Sequence, residues 1–270
     1  MMDAVATRVP WERVTACDAC GGTAFEPYME SHVPRWYDGE PLRLSRCRAC
    51  RLVFADPRPE RYANNRGYLE GAGNAAAAVE RKLARPGVHA IHRKVIESAV
   101  ALVGGEARSL FDMGFGAGSL LEAAQEMGLE AWGNDINKAG VDRLNAMGAH
   151  ALLGFTRDLD IPEGRFDVVT NLDYLEHSYE PMGDLRTCFR ALRPGGALYL
   201  KTLYLDCPDH LLKGEGWQLF GQGHFHFFEP RVLVTMIRDA GFEVLEVRMG
   251  PLIHVGARRP EGAPAAGGRA

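Results

Sequence analysis

The sequence predicts a doubly wound α/β domain with a mainly parallel sheet, preceded by a small unit that contains paired cysteines. Downstream of about residue 91, short apolar segments alternate with segments of helical periodicity, which is typical of a parallel sheet covered by helices on both faces. Near the N-terminus, two C-x-x-C pairs bring four thiols into one short region. With 270 residues and 46% hydrophobic content, the chain is long enough for one sizeable core and one small additional unit.

The net charge and the hydropathy pattern narrow the function classes. The formal charge of -4 gives no overall attraction to a polyanion such as nucleic acid. No apolar run approaches the roughly 20 residues that a membrane-spanning helix needs. The N-terminal residues Met1–Val5 lack the basic and apolar regions of a secretory signal. We therefore expect a cytoplasmic protein that does not act on a membrane.

The paired cysteines predict a metal site. Two C-x-x-C pairs separated by a few tens of residues can place four thiolates in a tetrahedron, which suits zinc and closes the site to water. Gly21 and Gly22 follow the first pair and give the backbone freedom to turn around a metal. Redox-active pairs and unligated thiols are the alternatives. We predict a structural zinc ribbon over residues 1–61, with the ligands Cys17, Cys20, Cys47 and Cys50.

Arginines are frequent in and just after this ribbon, and they could form a phosphate-binding face. Against a nucleic-acid site, acidic residues are interspersed among the arginines, and no aromatic residue alternates with them as in a single-strand binder. An ordinary solvated face or an intramolecular docking surface is therefore favoured. The arginines are Arg43, Arg46, Arg48, Arg51, Arg58, Arg61 and Arg66.

Residues 62–90 predict a helical connector that could act as a lid over a ligand. Asn64–Gly67 predicts a break in secondary structure, because these residue types have low helix propensity. Ala75–Leu83 has high helix propensity, and Pro86 ends that segment. The amphipathic segment His92–Val103 then leads into the α/β domain as a helix.

The turn within Leu110–Gly118 predicts a ligand site. A buried strand passes through glycines into a helix, which directs backbone N–H groups and the positive helix N-terminus at a ligand. A dinucleotide-binding turn requires glycine at the position of Ser119. Asp112 precedes the first glycine by two residues, where it would repel a pyrophosphate but could hold an ammonium group. The expected ligand is therefore cationic or zwitterionic.

A second acidic residue indicates a nucleoside. The strand Glu130–Asn134 ends at Asp135, where a carboxylate can accept hydrogen bonds from both hydroxyls of a ribose. The other strands of the domain are predicted at residues 149–153, 166–171 and 197–202, with helices at 137–147, 181–192 and 230–240.

Together these segments resemble the class I S-adenosylmethionine-dependent methyltransferases. The resemblance runs from about Val88 to Arg258 and implies a Rossmann-like sheet of seven strands in the order 3-2-1-4-5-7-6, with the last two strands from Phe242–Met249 and Leu252–Arg258. The methyltransferase domain would occupy residues 91–259. Residues 260–270 are expected to form a disordered tail because of their composition. The segments that carry the resemblance are Asp112–Gly118, Asp135, Phe166–Val169, Leu175–His177 and Leu192–Gly196.

The resemblance also implies how S-adenosylmethionine would be held. Asp112 would lie near the ammonium group of the cofactor, the glycines would let the backbone approach it, and Asp135 would hold the ribose. Thr156–Leu159 would flank the adenine. Phe115 stands where the family has a small residue. The implied cofactor residues are Asp112, Gly114, Phe115, Gly116, Gly118, Asp135, Ile136, Asp158, Asn171 and Leu172.

The zinc ribbon together with the run Leu52–Pro59 resembles a narrower group, the zinc-ribbon-bearing methyltransferases of sugar and natural-product biosynthesis. The sugar C-methyltransferases of that group carry a further C-terminal domain, and residues 260–270 do not contain one. This difference counts against sugar C-methylation itself. The resemblance to the group as a whole implies a small-molecule acceptor, which is sugar-derived or another secondary metabolite and is methylated on oxygen, nitrogen or carbon.

Candidate catalytic residues follow from the need to remove a proton from a hydroxyl or carbon acceptor beside the methyl group. His177 follows the fourth strand, and His224 precedes the last helix, so we predict these two as the base. His226 is a third candidate, because alternation in an extended segment would put it on the same side as His224. Packing is the alternative role for each histidine.

Two features of the acceptor side are less specific. Asp173, Glu176 and His177 resemble the cluster that binds magnesium in ubiquinone-pathway O-methyltransferases, so a divalent metal is an alternative there. The segment Leu203–Gly223 contains aromatic residues that we expect to form an acceptor wall, namely Tyr204, Trp217 and Phe220.

Two rival functions remain open. One is an RNA methyltransferase that docks through the arginine-rich ribbon, and the other is a non-catalytic module that binds a nucleoside. A nicotinamide dehydrogenase is disfavoured by Asp112 and Ser119. A monomer and a homodimer are both compatible with the sequence.

Overall fold

The computed structural model describes residues 9–31, 41–71, 75–221 and 223–262, and its N-terminal part is a small lobe of antiparallel strands. We call residues 9–31 and 41–59 the four-cysteine lobe. Strand β3 pairs with both β2 and β4, and β1 pairs with β5. The strands are β1 (Trp11–Glu12), β2 (Phe25–Ser31), β3 (Leu42–Cys47), β4 (Val53–Ala55) and β5 (Arg58–Pro59).

Three helices follow the lobe: α1 (Arg61–Leu69), α2 (Ala75–Leu83) and α3 (Val88–Ala101). The expected break at residues 64–67 is wrong, because α1 runs through them. Glu60 caps this helix by accepting a hydrogen bond from the Ala63 N–H at 2.8 Å. The Asn65 side chain donates to the Arg61 carbonyl at 2.9 Å, so its amide satisfies the helix backbone instead of competing with it.

A seven-stranded sheet forms the centre of the remaining chain. Its order is β12-β13-β10-β9-β6-β7-β8, which confirms the predicted order 3-2-1-4-5-7-6. Strand β13 is antiparallel to both neighbours, and the pairs from β10 to β8 are parallel. The strands are β6 (Ser109–Met113), β7 (Glu130–Asp135), β8 (His150–Leu153), β9 (Phe166–Leu172), β10 (Leu192–Thr202), β12 (Glu243–Met249) and β13 (Ile253–Arg258), and β11 (His226–Phe227) lies elsewhere.

Helices cover both faces of this sheet. Successive residues of a strand point to opposite faces, so Leu110 packs with α3 and α4 whereas Phe111 packs with the opposite cluster. Asn137 caps α5 at the predicted start of that helix, its side chain accepting from the Ala139 N–H at 3.2 Å. The further helices are α4 (Ser119–Glu126), α5 (Lys138–Ala146), α6 (Pro181–Ala191), α7 (Pro208–Lys213) and α8 (Pro230–Asp239). None of the helices within the described ranges is long and apolar enough to cross a membrane.

The four-cysteine lobe shares a sheet with the rest of the chain. Strand β11 comes from the segment between α7 and α8, yet it pairs antiparallel with β4, with His226 opposite Phe54. The result is a four-stranded sheet in the order β11-β4-β3-β2. The predicted domain boundaries stay predictions, and residues 263–270 of the expected tail lie outside the described part of the chain.

Candidate functional site

A cavity of about 520 Å³ lies at the carboxyl ends of β6, β7 and β9, where a doubly wound sheet places its ligand. Of the predicted site residues, Gly114, Gly116, Asp135, Ile136 and His177 line it. Helices α1 and α2 contribute Arg61, Asn64, Asn65, Tyr68 and Val79, and the other side includes Asp173, Tyr174, Tyr179, Glu180, Asp184, Gly223 and Phe225.

The glycine turn needs its glycines for backbone conformation and for close packing. Gly114 has a φ of +72°, and a Cβ atom there would lie 2.1 Å from Cδ2 of Tyr174. Gly118 has a φ of +85°, and a Cβ atom would lie 2.6 Å from Cδ1 of Leu144. An L side chain at either position would be strained and would also collide with a neighbour. The turn is thereby kept open toward the cavity.

The Asp135 carboxylate joins the two ligand-facing turns. Its Oδ2 accepts from the Gly116 N–H at 2.7 Å, and its Oδ1 accepts from the Asn137 N–H at 2.7 Å. Hydrogen bonds from backbone N–H groups to a carboxylate are among the stronger ones in proteins. Asp135 therefore fixes the glycine turn relative to the end of β7 while it also lines the cavity.

Asp112 lies behind the glycine turn, with only 3% of its surface exposed. The Thr170 hydroxyl donates a hydrogen bond to its Oδ1 at 2.6 Å. The pKa of Asp112 is raised to about 7, mainly by burial and also by the Asp135 charge, while the Thr170 hydrogen bond and Lys201 act in the opposite direction. A cation bound nearby would favour the ionised form of this carboxyl.

The other predicted cofactor residues lie outside the lining of the cavity. The Phe115 ring packs against Gly133 and Gly140, and Gly118 caps α4. The Asn171 amide is buried 3.6 Å from Sδ of Met113, while Leu172 packs against the apolar cluster under α3 and α4. Asp158 accepts from the Tyr62 hydroxyl at 2.9 Å. Cofactor contacts at Phe115, Gly118, Asp158, Asn171 and Leu172 stay predictions.

The two candidate histidines are neighbours but have different surroundings. The Nδ1 of His177 lies 2.9 Å from the Gly223 carbonyl oxygen. Because a carbonyl oxygen only accepts hydrogen bonds, Nδ1 carries the hydrogen. In the neutral imidazole, Nε2 then carries the lone pair. His224 lies behind it, with ring centroids 4.6 Å apart. Burial lowers the pKa of His224 to about 3, helped by His177, so its imidazole is neutral at pH 7. Of the two, only His177 lines the cavity.

The acidic cluster after β9 is rearranged relative to the predicted metal site. Asp173 is paired with Lys201, whose Nζ lies 2.6 Å from Oδ2. Glu176 is buried and accepts from the Thr202 hydroxyl at 2.7 Å, and burial raises its pKa to about 7. His224 instead joins Glu176 and His177, with potential ligand atoms within 4.8 Å of one another. A metal ion there stays a prediction.

His226 takes no part in the cavity lining. Its side chain is fully buried, and Nε2 donates to Oδ2 of Asp18 at 3.1 Å. The shared side that was expected for His224 and His226 is wrong, because the chain turns at His224, whose N–H bonds to the Gly221 carbonyl, and is extended only from His226. His226 therefore faces the four-cysteine lobe.

The expected aromatic acceptor wall is also wrong. Tyr204, Trp217 and Phe220 are buried and lie outside the cavity lining, and Trp217 packs edge-on against Phe220. The three side chains pack in the apolar core, where the Phe220 ring contacts the Phe227 ring of β11. Other aromatic residues line the cavity, among them Phe225 and Tyr179, whose ring centroids are 4.7 Å apart.

Helix α1 supplies lining residues that the sequence reasoning missed. The Arg61 guanidinium lies over the Tyr179 ring at 5.0 Å and over the Phe155 ring at 5.5 Å, and so joins α1 to the cavity wall. Asn64, Asn65 and Tyr68 follow at spacings of three, four and seven residues from Arg61. These spacings mark one face of a helix and would have indicated the surface, had a helix been predicted here.

The four cysteines form a cluster that fits a tetrahedral metal. Cys17 Sγ lies 3.5 Å from Cys50 Sγ, and Cys20 Sγ lies 3.6 Å from Cys47 Sγ. A tetrahedron with metal–sulfur bonds of about 2.3 Å has edges of about 3.8 Å, whereas a disulfide bond is about 2.05 Å. All four sulfurs lie within 4.8 Å of one another. The donor set therefore suits a four-coordinate thiophilic ion.

The two cysteine pairs also share one turn geometry. Gly21 has a φ of +74° and donates to the Cys17 carbonyl, and Arg51 has a φ of +68° and donates to the Cys47 carbonyl. Each residue directly follows the second cysteine of its pair. The repeated turn brings both sulfurs of each pair to the same centre.

Each of the seven arginines named above is paired with a carboxylate. Two of them cross from the four-cysteine lobe to the N-terminal end of α8, since Arg46 and Arg51 lie 2.8 Å and 3.8 Å from Glu229 Oε1. These contacts favour the intramolecular docking surface over a phosphate-binding face. The other pairs are Arg43–Glu30, Arg48–Glu26, Arg58–Asp18, Arg61–Glu180 and Arg66–Glu70.

Comparison with known proteins shows which family the chain resembles. A family model described as a methyltransferase domain matches residues 78–247. The ubiquinone biosynthesis O-methyltransferase of Pseudomonas paraeruginosa is 31% identical over 155 residues, which cover 52% of this chain and 66% of that protein. The protein of the same name from Psychrobacter arcticus is 30% identical over 187 residues, which cover 61% of this chain and 70% of that protein.

A solved structure gives the same picture of the fold. The 1,6-didemethyltoxoflavin-N1-methyltransferase of Burkholderia thailandensis, with bound 1,6-didemethyltoxoflavin and S-adenosylhomocysteine, aligns with a TM-score of 0.55. The alignment covers 77% of this chain and 96% of that one at 16% identity. At this identity the likeness shows a common fold alone.

Replacing Asp112 with asparagine tests the raised pKa of this buried carboxyl. The folded protein keeps Asp112 protonated up to about pH 7, whereas the unfolded chain releases this proton near pH 4. The contribution of Asp112 to the free energy of unfolding is fully present below about pH 4. It falls as the pH rises toward 7, by about 1.4 kcal/mol per pH unit. Asp112→Asn should lack this part of the decline, measured by urea unfolding without cofactor from about pH 5 to about pH 7.

The matched control is Asp142→Asn, which changes an exposed carboxylate that is paired with Lys138 on α5. This variant should follow the wild-type pH dependence. Equal pH dependence of the Asp112→Asn and wild-type proteins would mean that Asp112 titrates at its ordinary pKa.

Proposed function

The chain belongs to the methyltransferase-domain family of S-adenosylmethionine-dependent enzymes, and from this we propose that it transfers a methyl group to an oxygen of a small-molecule acceptor. The observation that carries the proposal is that one cavity is lined by the glycine turn, by Asp135 and by His177. The first two belong to a nucleoside site, and His177 belongs to a proton-transfer site. A secondary metabolite with a free hydroxyl group is the acceptor class we infer.

The residues at the inner end of the cavity fit the cofactor. When bound, S-adenosylmethionine supplies an electrophilic methyl group on a sulfonium centre. Asp112 would face the ammonium group, which would favour its ionised form, and Asp135 would accept hydrogen bonds from the ribose. Among the described residues, the buried Asn134 Oδ1 has no hydrogen-bond partner, although Asn134 lines the cavity. A donor from the nucleoside would satisfy this oxygen.

His177 would accept the proton that the acceptor hydroxyl loses. The hydrogen bond from its Nδ1 to the Gly223 carbonyl orients the ring and leaves the lone pair on Nε2. The His224 imidazole behind it is neutral at pH 7 and so places no positive charge beside His177. The acceptor oxygen forms the new bond to the methyl carbon while the carbon–sulfur bond breaks and its electron pair stays on sulfur. Oxygen is favoured over nitrogen or carbon by the names of the relatives.

We infer that the four-cysteine cluster holds a structural zinc ion. The sulfur–sulfur distances of 3.5 Å and 3.6 Å match a tetrahedral thiolate site, and no fifth ligand is needed. A lobe of this size has too little apolar core to be stable without such a link. The alternative of an RNA methyltransferase has weaker support, because the arginines of the lobe are already paired with carboxylates.

Asp135→Ala should severely weaken cofactor binding. The substitution removes hydrogen bonds to the ribose and the anchor of the Gly116 N–H. We expect the affinity for S-adenosylhomocysteine to fall by at least about 100-fold, since each charge-assisted hydrogen bond contributes about 1.5 to 3 kcal/mol. Isothermal titration calorimetry measures this, with Asp142→Ala as the control for a surface carboxylate. Unchanged affinity in Asp135→Ala would remove the proposed ribose site.

His177→Asn should lower the rate of methyl transfer with little change in cofactor affinity. Loss of a general base typically lowers kcat by about 10² to 10⁴. The assay uses labelled S-adenosylmethionine with a panel of small hydroxyl, amine and carbon-acid acceptors, and mass spectrometry locates the methyl group. His224→Asn is the matched control and should have the smaller effect. Methylation on nitrogen or carbon alone, or full activity of His177→Asn, would contradict the proposed role.

Metal analysis of the purified protein should find about one zinc ion per chain, because four thiolates complete a single tetrahedral site. Cys47→Ser should lose the metal and destabilise the protein, whereas Cys207→Ser, which changes a buried cysteine outside the cluster, should keep it. A folded protein that is purified without chelator and contains no zinc would rule out the zinc assignment.

A further inference from the structure

One wall of the cavity is attached to strand β4 of the four-cysteine lobe. Gly223 and Phe225 line the cavity, and β11 begins at the next residue, His226. Strand β11 is the outer strand of the lobe's four-stranded sheet, and the Phe225 carbonyl accepts from the Ala55 N–H of β4 at 2.8 Å. The position of this wall therefore depends on how β11 docks on β4.

The inner side of the same segment holds His177. The Phe225 N–H donates to the Glu176 carbonyl at 2.7 Å, and the Gly223 carbonyl accepts from His177 Nδ1 at 2.9 Å. These two hydrogen bonds connect the wall to the short 3-10 helix Leu175–His177. A shift of the wall would move the His177 ring or break the bond that fixes its tautomer.

The outer side is anchored by a buried charge-assisted contact. His226 Nε2 donates to Asp18 Oδ2 at 3.1 Å, and His226 is fully buried. Arg58 Nη1 donates to the same oxygen at 2.9 Å and keeps the carboxylate in place. Asp18 lies between Cys17 and Cys20, so its position is set by the cysteine turn. Hydrogen bonds to a charged group are stronger than those between neutral groups, so this contact anchors β11 firmly.

We propose that Asp18 and His226 are positioning residues for the methyl-transfer reaction, because their hydrogen bond docks β11 on β4 and so holds the His177 ring through Gly223. The inference rests on the proposed function, in which His177 is the base. It makes the four-cysteine lobe part of the acceptor side of the active site. The cofactor side should depend on it less, since Asp135 is held by Gly116 and Asn137.

The experiment uses the full chain as purified, with S-adenosylhomocysteine as the binding probe. His226→Phe keeps an aromatic ring in the buried position and removes the bond to Asp18. We expect amide hydrogen exchange of residues 174–178 and 223–228 to become about tenfold faster, as for the loss of one hydrogen bond to a charged group. The affinity for S-adenosylhomocysteine and the zinc content should stay within about twofold of wild type.

A spectroscopic signal reports on His177 directly. In protein with ¹⁵N-labelled histidine, the Nδ1 resonance of His177, assigned from its absence in His177→Asn, should shift in His226→Phe as the bond to Gly223 weakens. His226→Gln should restore the wild-type resonance and exchange, since its amide can donate to Asp18. If His226→Phe does not fold, Asp18→Asn weakens the same contact and should give the same changes at smaller size.

Ser31→Ala is the matched control. It removes another hydrogen bond that joins the lobe to the rest of the chain, from Ser31 Oγ to the Glu215 carbonyl at 2.6 Å, and it should leave His177 unchanged. The inference is overturned if the His177 resonance and the exchange of residues 174–178 stay at wild-type values in His226→Phe. Equal changes in Ser31→Ala would also overturn it, because they would reflect a general loss of stability. Failure of the wild-type protein to bind S-adenosylhomocysteine would instead count against the proposed function.

Discussion

The arrangement of the site depends on the carboxylate of Asp135 and the two backbone N–H groups that it binds. A turn that carries glycines at positive φ has little intrinsic preference for one conformation, so the Gly116 N–H needs an external acceptor to hold it. Asp135 supplies that acceptor from the neighbouring strand and binds the Asn137 N–H with its second oxygen. The first helix after the turn, the start of α5 and the ligand-facing edge are thereby held in one geometry. The same carboxylate is therefore a structural link that also lines the cavity.

The parts of the fold that the sequence predicts are those set by local periodicity. The strand order and the start of α5 near Asn137 follow from alternating segments and from a family resemblance that depends on their spacing. Helix α1 was missed because the low helix propensity of Asn64, Asn65 and Gly67 is outweighed by the Glu60 cap and by contacts of the first turn, in which Tyr62 meets Asp158 and Phe155. Such contacts come from residues distant in sequence, and no local pattern encodes them.

The candidate site likewise contains residues that local sequence features place and residues that only the tertiary structure places. Gly114, Gly116, Asp135 and His177 could be placed because a motif and a strand end fix where they point. The positions of the His224 and His226 side chains could not be predicted, because a turn from Gly221 to His224 reorients one imidazole relative to the other. The raised pKa values of Asp112 and Glu176 are likewise invisible in the sequence, since they arise from burial under packed helices.

The pairing of β4 with β11 decides which part of the chain can fold as an independent unit. Leu42, Leu44 and Phe54 of the lobe belong to the same buried cluster as Phe225 and Phe227. The match to the methyltransferase-domain model begins only at residue 78. A shortened protein that starts at that boundary would therefore expose an apolar surface and an unpaired strand edge where the lobe had been, and such surfaces promote aggregation. A stable fragment of this chain therefore needs the four-cysteine lobe in addition to residues 78–247, which match the methyltransferase-domain model.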